Sequence, residues 1–284
     1  MRALTDVWVH RRPNGLSYGA LDGSTGGARP RSGDWLHVLS VLTRNEFRAR
    51  YRAQALGILW SLLNPLVQMV IMSLLFTRVF RVSIPDYPVF LLIGFVVWQW
   101  VSNGLPQATQ VFVTHADVVK RTVFPRHLLP IASVLSYGFN FALESSLLVL
   151  LAFVFPQAFR LSPALLLVPV ILVILVVLLC GVALATSVLN VVYRDVAYLV
   201  STTLTLLYWL TPIIYAVDRL PLPYRNLMLL NPLTSVLVAL RGCLMLGEVP
   251  SAVTWAGMVV PTAVVLGIGW LVFRGHERTV LDYV

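Results

Sequence analysis

From Leu56 to Phe76 the chain runs 21 residues without a charge, and Arg44, Arg48, Arg50 and Arg52 stand just before that run. At a helical rise of ~1.5 Å per residue the uncharged stretch covers about 31 Å, the hydrocarbon thickness of a bilayer. Basic residues at the mouth of such a segment mark its cytoplasmic end, because Lys and Arg resist translocation. This one feature sets where the chain enters a membrane and which way it points. Only 12% of the 284 residues are charged and 58% are hydrophobic, against about 25% charged in soluble domains. The expected class is all-α, a polytopic helical membrane protein.

Five further apolar stretches follow the first. They run over about Val89–Val113, Leu128–Phe155, Ala164–Val192, Tyr198–Ala216 and Val253–Phe273. The segment 218–250 carries Pro221, Pro223, Pro232 and Pro250, and Arg241 interrupts its apolar part, Leu233–Leu246. It reads as an outer or re-entrant hairpin rather than a span. Six spans put both termini on one side. Of the 21 basic residues, nine lie in 1–55, three in 115–127, one at Arg194 and two at the C-terminus, all on that side. The other six are Arg78, Arg81, Arg160, Arg219, Arg225 and Arg241. The bias predicts cytoplasmic termini. The net charge of +9 sits at the ends of apolar spans, not on one soluble face, which argues against a nucleic-acid partner.

Three units are expected. Residues 1–33, rich in Gly, Pro and Arg, read as a flexible cytoplasmic tail without the apolar core of a signal peptide. Residues 34–53 form an amphipathic helix and basic flank. Asp34 can cap it, and Trp35, Val38, Leu39 and Leu42 share one face. That face suits the membrane–water interface or, alternatively, a partner subunit. Residues 54–284 form the transmembrane domain.

Enzymatic signatures are lacking. No phosphate-binding loop precedes Lys120, the only lysine, and the five histidines fit no metalloprotease or triad pattern. Cys180 and Cys243 have no metal-like spacing and suit packing. Metal and catalytic sites are expected to be absent. Polar stripes are what the spans do carry. Ser201, Thr205, Tyr208, Pro212 and Tyr215 fall at steps of four and three, with Trp209 beside them; Trp60, Asn64 and Gln68 share a face of the first span. Aromatic faces stack on sugar C–H groups, and hydroxyls and amides satisfy sugar hydroxyls; the same rings also suit an interfacial belt. Asn103, Gln107 and Gln110 in the second span, and Ser133, Tyr137 and Asn140 in the third, read as bonds between helices or as faces turned toward water, while Glu144 on the same face reads as paired or protonated, with a proton relay as the alternative. Glu144 is the only acid within a span, too few for a catalytic carboxylate pair.

At RYRAQALGILWSLLNPL the chain resembles the ABC-2 type transport permeases, in particular those exporting lipid-linked polysaccharides such as O-antigen, teichoic acid or galactan. VVKRTVFPRHLLP, NVVYRDVAYLV, YWLTPIIYAVDRLP and LNPLTSVLVALRG follow in the order found in that family. The resemblance implies a homodimer in the bacterial cytoplasmic membrane, with a channel between subunits lined by the first and fifth spans. Trp60, Asn64, Gln68, Thr205, Tyr208, Trp209, Pro212 and Tyr215 are the expected lining, with Pro212 kinking the fifth helix. It implies a separate cytoplasmic ATP-binding subunit, in two copies, that holds ATP and Mg²⁺, and no cofactor on this chain. His115, Asp117, Lys120, Arg121 and Arg126 fall on the segment that would couple to it; the alternative is an ordinary basic loop. Arg48, Arg50 and Arg52 sit at the depth of a lipid pyrophosphate head group, either to bind it or simply to anchor the chain. Export of a drug or lipid, or an intramembrane glycan-modifying enzyme, are the alternative readings.

Overall fold

The computed structural model describes residues 35–51, 57–81, 83–121, 124–277 and 280, without the side chains at 49–51, 57, 58, 118, 121, 219, 222, 226 and 227. The tail 1–33, the Asp34 cap, Arg52 and Arg278 lie outside the described residues, as do the side chains of Arg50 and Arg121. In chain order the α-helices are α1 (Trp35–Tyr51), α2 (Gly57–Leu74), α3 (Tyr87–Thr114), α4 (Ala116–Arg121), α5 (Leu128–Val154), α6 (Val168–Val192), α7 (Val196–Leu210), α8 (Leu222–Leu229), α9 (Pro232–Arg241) and α10 (Ala252–His276). No strand occurs among the described residues. The molecule is an all-α polytopic membrane protein.

Among the described residues, five helical stretches are long and apolar enough to cross a bilayer: Leu59–Val79, Tyr87–Thr114, Leu128–Val154, Pro163–Val192 and Ala252–His276. Pro65, Pro106 and Pro261 lie inside α2, α3 and α10 without ending them. Membrane helices tolerate proline where neighbours satisfy the freed backbone groups. The expected fifth span needs correction. Its helix stops at Leu210, and Thr211 is extended at φ −102°, ψ 133°. Pro212 therefore follows the helix rather than kinking it. The residue before a proline is biased away from the α region by its ring, which favours a break at Thr211.

The core is built around α3, which packs on α2, α5, α6, α7 and α9. The Trp100 indole donates to the Val134 carbonyl of α5 at 3.0 Å, and Thr109 of α3 bonds Thr186 of α6 at 2.9 Å. In hydrocarbon, helices gain little from burying apolar surface against each other, so close van der Waals fit and such bonds hold them together. The closest fit is between α6 and α10. A Cβ added to Gly269 would stand 2.0 Å from the Gly181 carbonyl oxygen, so backbone meets backbone there.

A second apolar cluster closes one end of the bundle. Val38 and Leu42 of α1 pack there with Val111, Phe112, Leu128, Leu129, Val188 and Phe273. The predicted apolar face of α1 is thus real, and the chain's own helices cover its centre, while Leu36 on the other side is exposed. The segment after α7 forms a helical hairpin, α8–α9. Asn231 caps α9 by accepting from the Leu233 N–H at 3.0 Å, with Pro232 in the first turn. α9 is buried against α3, α6 and α10.

Candidate functional site

α7 is positioned at both ends. The tight connection from α6 lets the Asn190 side chain accept from the Ala197 N–H at 3.0 Å, satisfying one donor of the first turn. Beyond the helix end, the Tyr215 hydroxyl returns to the Trp209 carbonyl at 3.0 Å, satisfying one of the last acceptors. Between these anchors the outward face of α7 is open: Ser201, Thr205 and Trp209 are exposed and Tyr208 is half-buried.

A cavity of about 300 Å³ lies between α7 and α3. From α7 it is lined by Ser201, Leu204, Thr205, Tyr208 and Trp209, and from α3 by Trp98, Ser102 and Pro106. Three rings form its wall. Trp98 and Tyr208 meet edge to face at 5.5 Å between centroids, and Tyr208 and Trp209 at 5.3 Å. The hydroxyls of Ser201 and Thr205, both lining the cavity, donate to carbonyls four residues back, at 3.0 and 3.1 Å, and keep acceptor capacity on their oxygens. The arrangement offers apolar ring surface and scattered acceptors, with no charge. It can hold a ring-sized polar molecule weakly and reversibly.

Of the residues singled out in the fifth span, Thr205, Tyr208 and Trp209 come together here. Pro212 and Tyr215 leave the helical face because α7 ends before them. Pro212 is buried and Tyr215 half-buried. Trp60, Asn64 and Gln68 sit elsewhere, on the outward side of α2, whose main packing partners are α3 and α5. Trp60 and Asn64 are exposed, and the Gln68 amide donates to Asn64 Oδ1 at 3.3 Å. Sequence reasoning missed Trp98, Ser102 and Pro106. Their spacing of four places them on one face of α3, a signal that attention to the neighbouring amides obscured. Those amides are also corrected. Asn103, Gln107 and Gln110 do not bridge helices within the chain but lie exposed on α3. In the third span Ser133, Tyr137 and Glu144 are buried and Asn140 is half-buried, but Glu144 Oε2 meets no hydrogen-bond partner among the described residues.

At the other end of α3, His115 joins α3 to α4. Its N–H donates to the Val111 carbonyl, and its own carbonyl accepts from Val119. Its Nε2 lies 2.6 Å from Glu46 Oε1 on α1, a partner that sequence reasoning did not single out. Val119 is buried and holds α4 to the bundle, while Asp117 and Lys120 are exposed. Arg126 is engaged internally, donating to the Glu277 carbonyl at 2.8 Å. Arg48 is exposed at the end of α1.

A family model described as "ABC-2 type transporter" matches residues 37–245. An "O-antigen export system permease protein" of Klebsiella pneumoniae is 34% identical over 213 residues, covering 74% of this chain and 81% of that one. The protein of the same name from Myxococcus xanthus is 29% identical over 85% of this chain and 93% of its own. A "Polysialic acid transport protein" of Escherichia coli is 28% identical over 86% and 95% respectively.

Proposed function

This chain belongs to the ABC-2 type transporter family, and from that premise we propose that it is the membrane-spanning permease of an ATP-driven exporter of a lipid-linked polysaccharide. The observation that carries the reading is the uncharged, ring-walled cavity on the open side of α3 and α7. A polymer passing through a bilayer needs contacts favourable enough to admit it and weak enough to release it. Edge-exposed aromatic rings with hydroxyls between them meet both needs and tolerate varied sugar linkages.

A second copy of the chain completes the path. The outward faces of α2 and α7 carry Trp60, Asn64, Gln68, Thr205 and Trp209 together with large apolar side chains, and polar groups at that depth turn toward protein or water. α7 is about 22 Å long at the standard rise, so it and the extended stretch after it together make the sixth crossing. Both termini then face the cytoplasm of a bacterial inner membrane, as the basic bias suggests. ATP is hydrolysed on a separate subunit, two copies per dimer, that docks on α4 through Asp117, Lys120 and Arg121, with His115 and Arg126 tying that helix to the bundle. Arg48, with Arg50 and Arg52, meets the phosphates of the lipid carrier.

Depleting the protein tests the function. A lipid-linked polymer should accumulate on the inner leaflet while its surface form disappears. Normal surface polymer with a changed drug or lipid distribution would overturn the substrate class. Lys120→Glu with Arg121→Glu should separate ATP hydrolysis from export or release the ATPase; wild-type export and assembly would remove α4 from the coupling role.

A further inference from the structure

Arg241 is a fully enclosed guanidinium at the C-terminal end of α9, 7% exposed, and among the described residues no carboxylate pairs with it. Its partners are backbone. Nη1 donates to the Pro212 carbonyl at 2.6 Å; Nη2 donates to the carbonyls of Ile213 at 2.8 Å and Phe90 at 3.1 Å. Its carbon centre lies 3.4 Å from the Phe90 ring centroid. One side chain thus joins three elements: α9, the start of α3 and the break after α7.

The break itself is held residue by residue. The Thr211 hydroxyl is met by the Asn231 amide at 3.0 Å, and the Ile214 carbonyl accepts from the Tyr87 hydroxyl at 2.7 Å. Arg241 donates to the two carbonyls between, those of Pro212 and Ile213. An unravelled stretch beside lipid would leave such carbonyls unsatisfied, so non-helical backbone survives there only where protein satisfies it. A buried cation without a counter-ion is itself unfavourable, and its presence asks for a function. Gly94 fits the same design. A Cβ there would stand 2.8 Å from Arg241 Nη2 and 3.1 Å from the Ile213 oxygen, so a larger residue at 94 would push the guanidinium and the break away from α3.

We propose that Arg241 is a positioning residue for transport: it clamps the strap 211–216 to α3 and thereby sets where the rings of Trp209 and Tyr215 stand at the outer end of the path. The strap follows Trp209 directly and carries Tyr215, whose hydroxyl bonds the Trp209 carbonyl. Shifting the clamp moves both rings. The planar fork of Arg reaches carbonyls on two elements at once; the point ammonium of Lys does not. The inference rests on the export reading for its consequence, but the clamp can be read without it.

The test uses the full chain with its ATPase partner in native membranes, and a reporter cysteine at Ala216 with Cys180 and Cys243 replaced by Ala. Arg241→Lys and Gly94→Ala are compared with the parent for labelling of residue 216 by a membrane-impermeant maleimide, for surface polymer and for ATPase activity. Both variants should raise the labelling rate and lower export roughly tenfold, the effect of losing one charge-assisted hydrogen bond, while ATPase activity of the assembled complex stays within about twofold. Unchanged labelling in both variants would show that Arg241 does not hold the strap. Increased labelling with full export would remove its role in transport, and loss of the assembled protein in both would make it a folding residue only. If depletion of the chain leaves surface polymer unchanged, the substrate reading fails, and the labelling still decides the clamp.

Discussion

α3 and α7 are neighbours in one bundle and opposites in how they are used. In α3, 72% of the most apolar stretch is buried, and 18 of its 28 residues are enclosed. In α7 the one buried residue is Leu204. α2 resembles α7, with 11% of its stretch buried. The difference is not one of hydrophobicity. α7 is as apolar as α3, and its outward residues include Trp209, Leu206, Tyr198 and Thr205. α3 is mostly enclosed by its own chain; α7 leaves rings and hydroxyls facing outward. The bundle therefore has a closed side, α3–α5–α6–α10, and an open side, α2 and α7.

The closed side should fail first and most completely. Gly269→Val places a branched side chain where the Gly181 carbonyl already stands, and no monodisperse protein should survive detergent extraction; recovery of a stable protein would mean that the closed side is looser than its contacts. The open side should tolerate truncation and lose function instead. Tyr208→Ala with Trp209→Ala removes two ring contacts, each about 0.5–1.5 kcal/mol, and should cut export on the order of tenfold at unchanged yield and ATPase activity. Loss of the folded protein would place these rings in packing. A smaller effect is expected where α1 meets the closed side. Glu46→Gln weakens a partly buried pair with His115, costs about 1 kcal/mol and should lower the Tm by about 2–4 °C; no change would show that α1 is held by Val38 and Leu42 alone.

The smallest effect concerns pH. His127, just before α5, lies edge-on to Trp270 and Phe273 of α10, with ring centroids 5.5 and 6.3 Å away. Burial lowers its pKa from the ordinary 6.5, and the charge of Glu277 counters this in part. The folded state thus binds this proton more weakly than the unfolded chain does. Its stabilising contribution is complete above pH 6.5 and fades as pH falls through the lowered value. Hydrogen exchange at 270–277, corrected for intrinsic rates, should quicken as pH falls below 6.5, and His127→Gln should flatten the change. An identical profile in both proteins would assign the effect elsewhere.

The closed side was readable from the chain because long uncharged runs with helical spacing leave little freedom in a bilayer. The apolar face of α1 was readable for the same reason. The open side was half readable. Thr205 and Tyr208, with Trp209 beside them, are marked by helical spacing, but the same spacing continues through Pro212 to Tyr215, where the helix has ended. Proline alone does not decide the matter, since Pro65, Pro106 and Pro261 are carried inside helices. What ends α7 is a supply of donors from far along the chain: Arg241, 29 residues beyond Pro212, and Tyr87, 127 residues before Ile214. Likewise Trp98 joined the site only through its contact with Tyr208. Local pattern identifies a helix; which carbonyls may leave it depends on tertiary neighbours.

The meeting of Gly181 and Gly269 bears on the lipid as well as on the fold. Two helices locked backbone to backbone cannot slide past each other to shorten or lengthen their combined apolar height. When the surrounding bilayer thins or thickens, α6 and α10 must lean as one body, or the lipid must deform around them. The loosely held α2 and α7 can tilt separately. Changes in membrane thickness would then alter the angle between the two sides without touching a single contact inside the closed side.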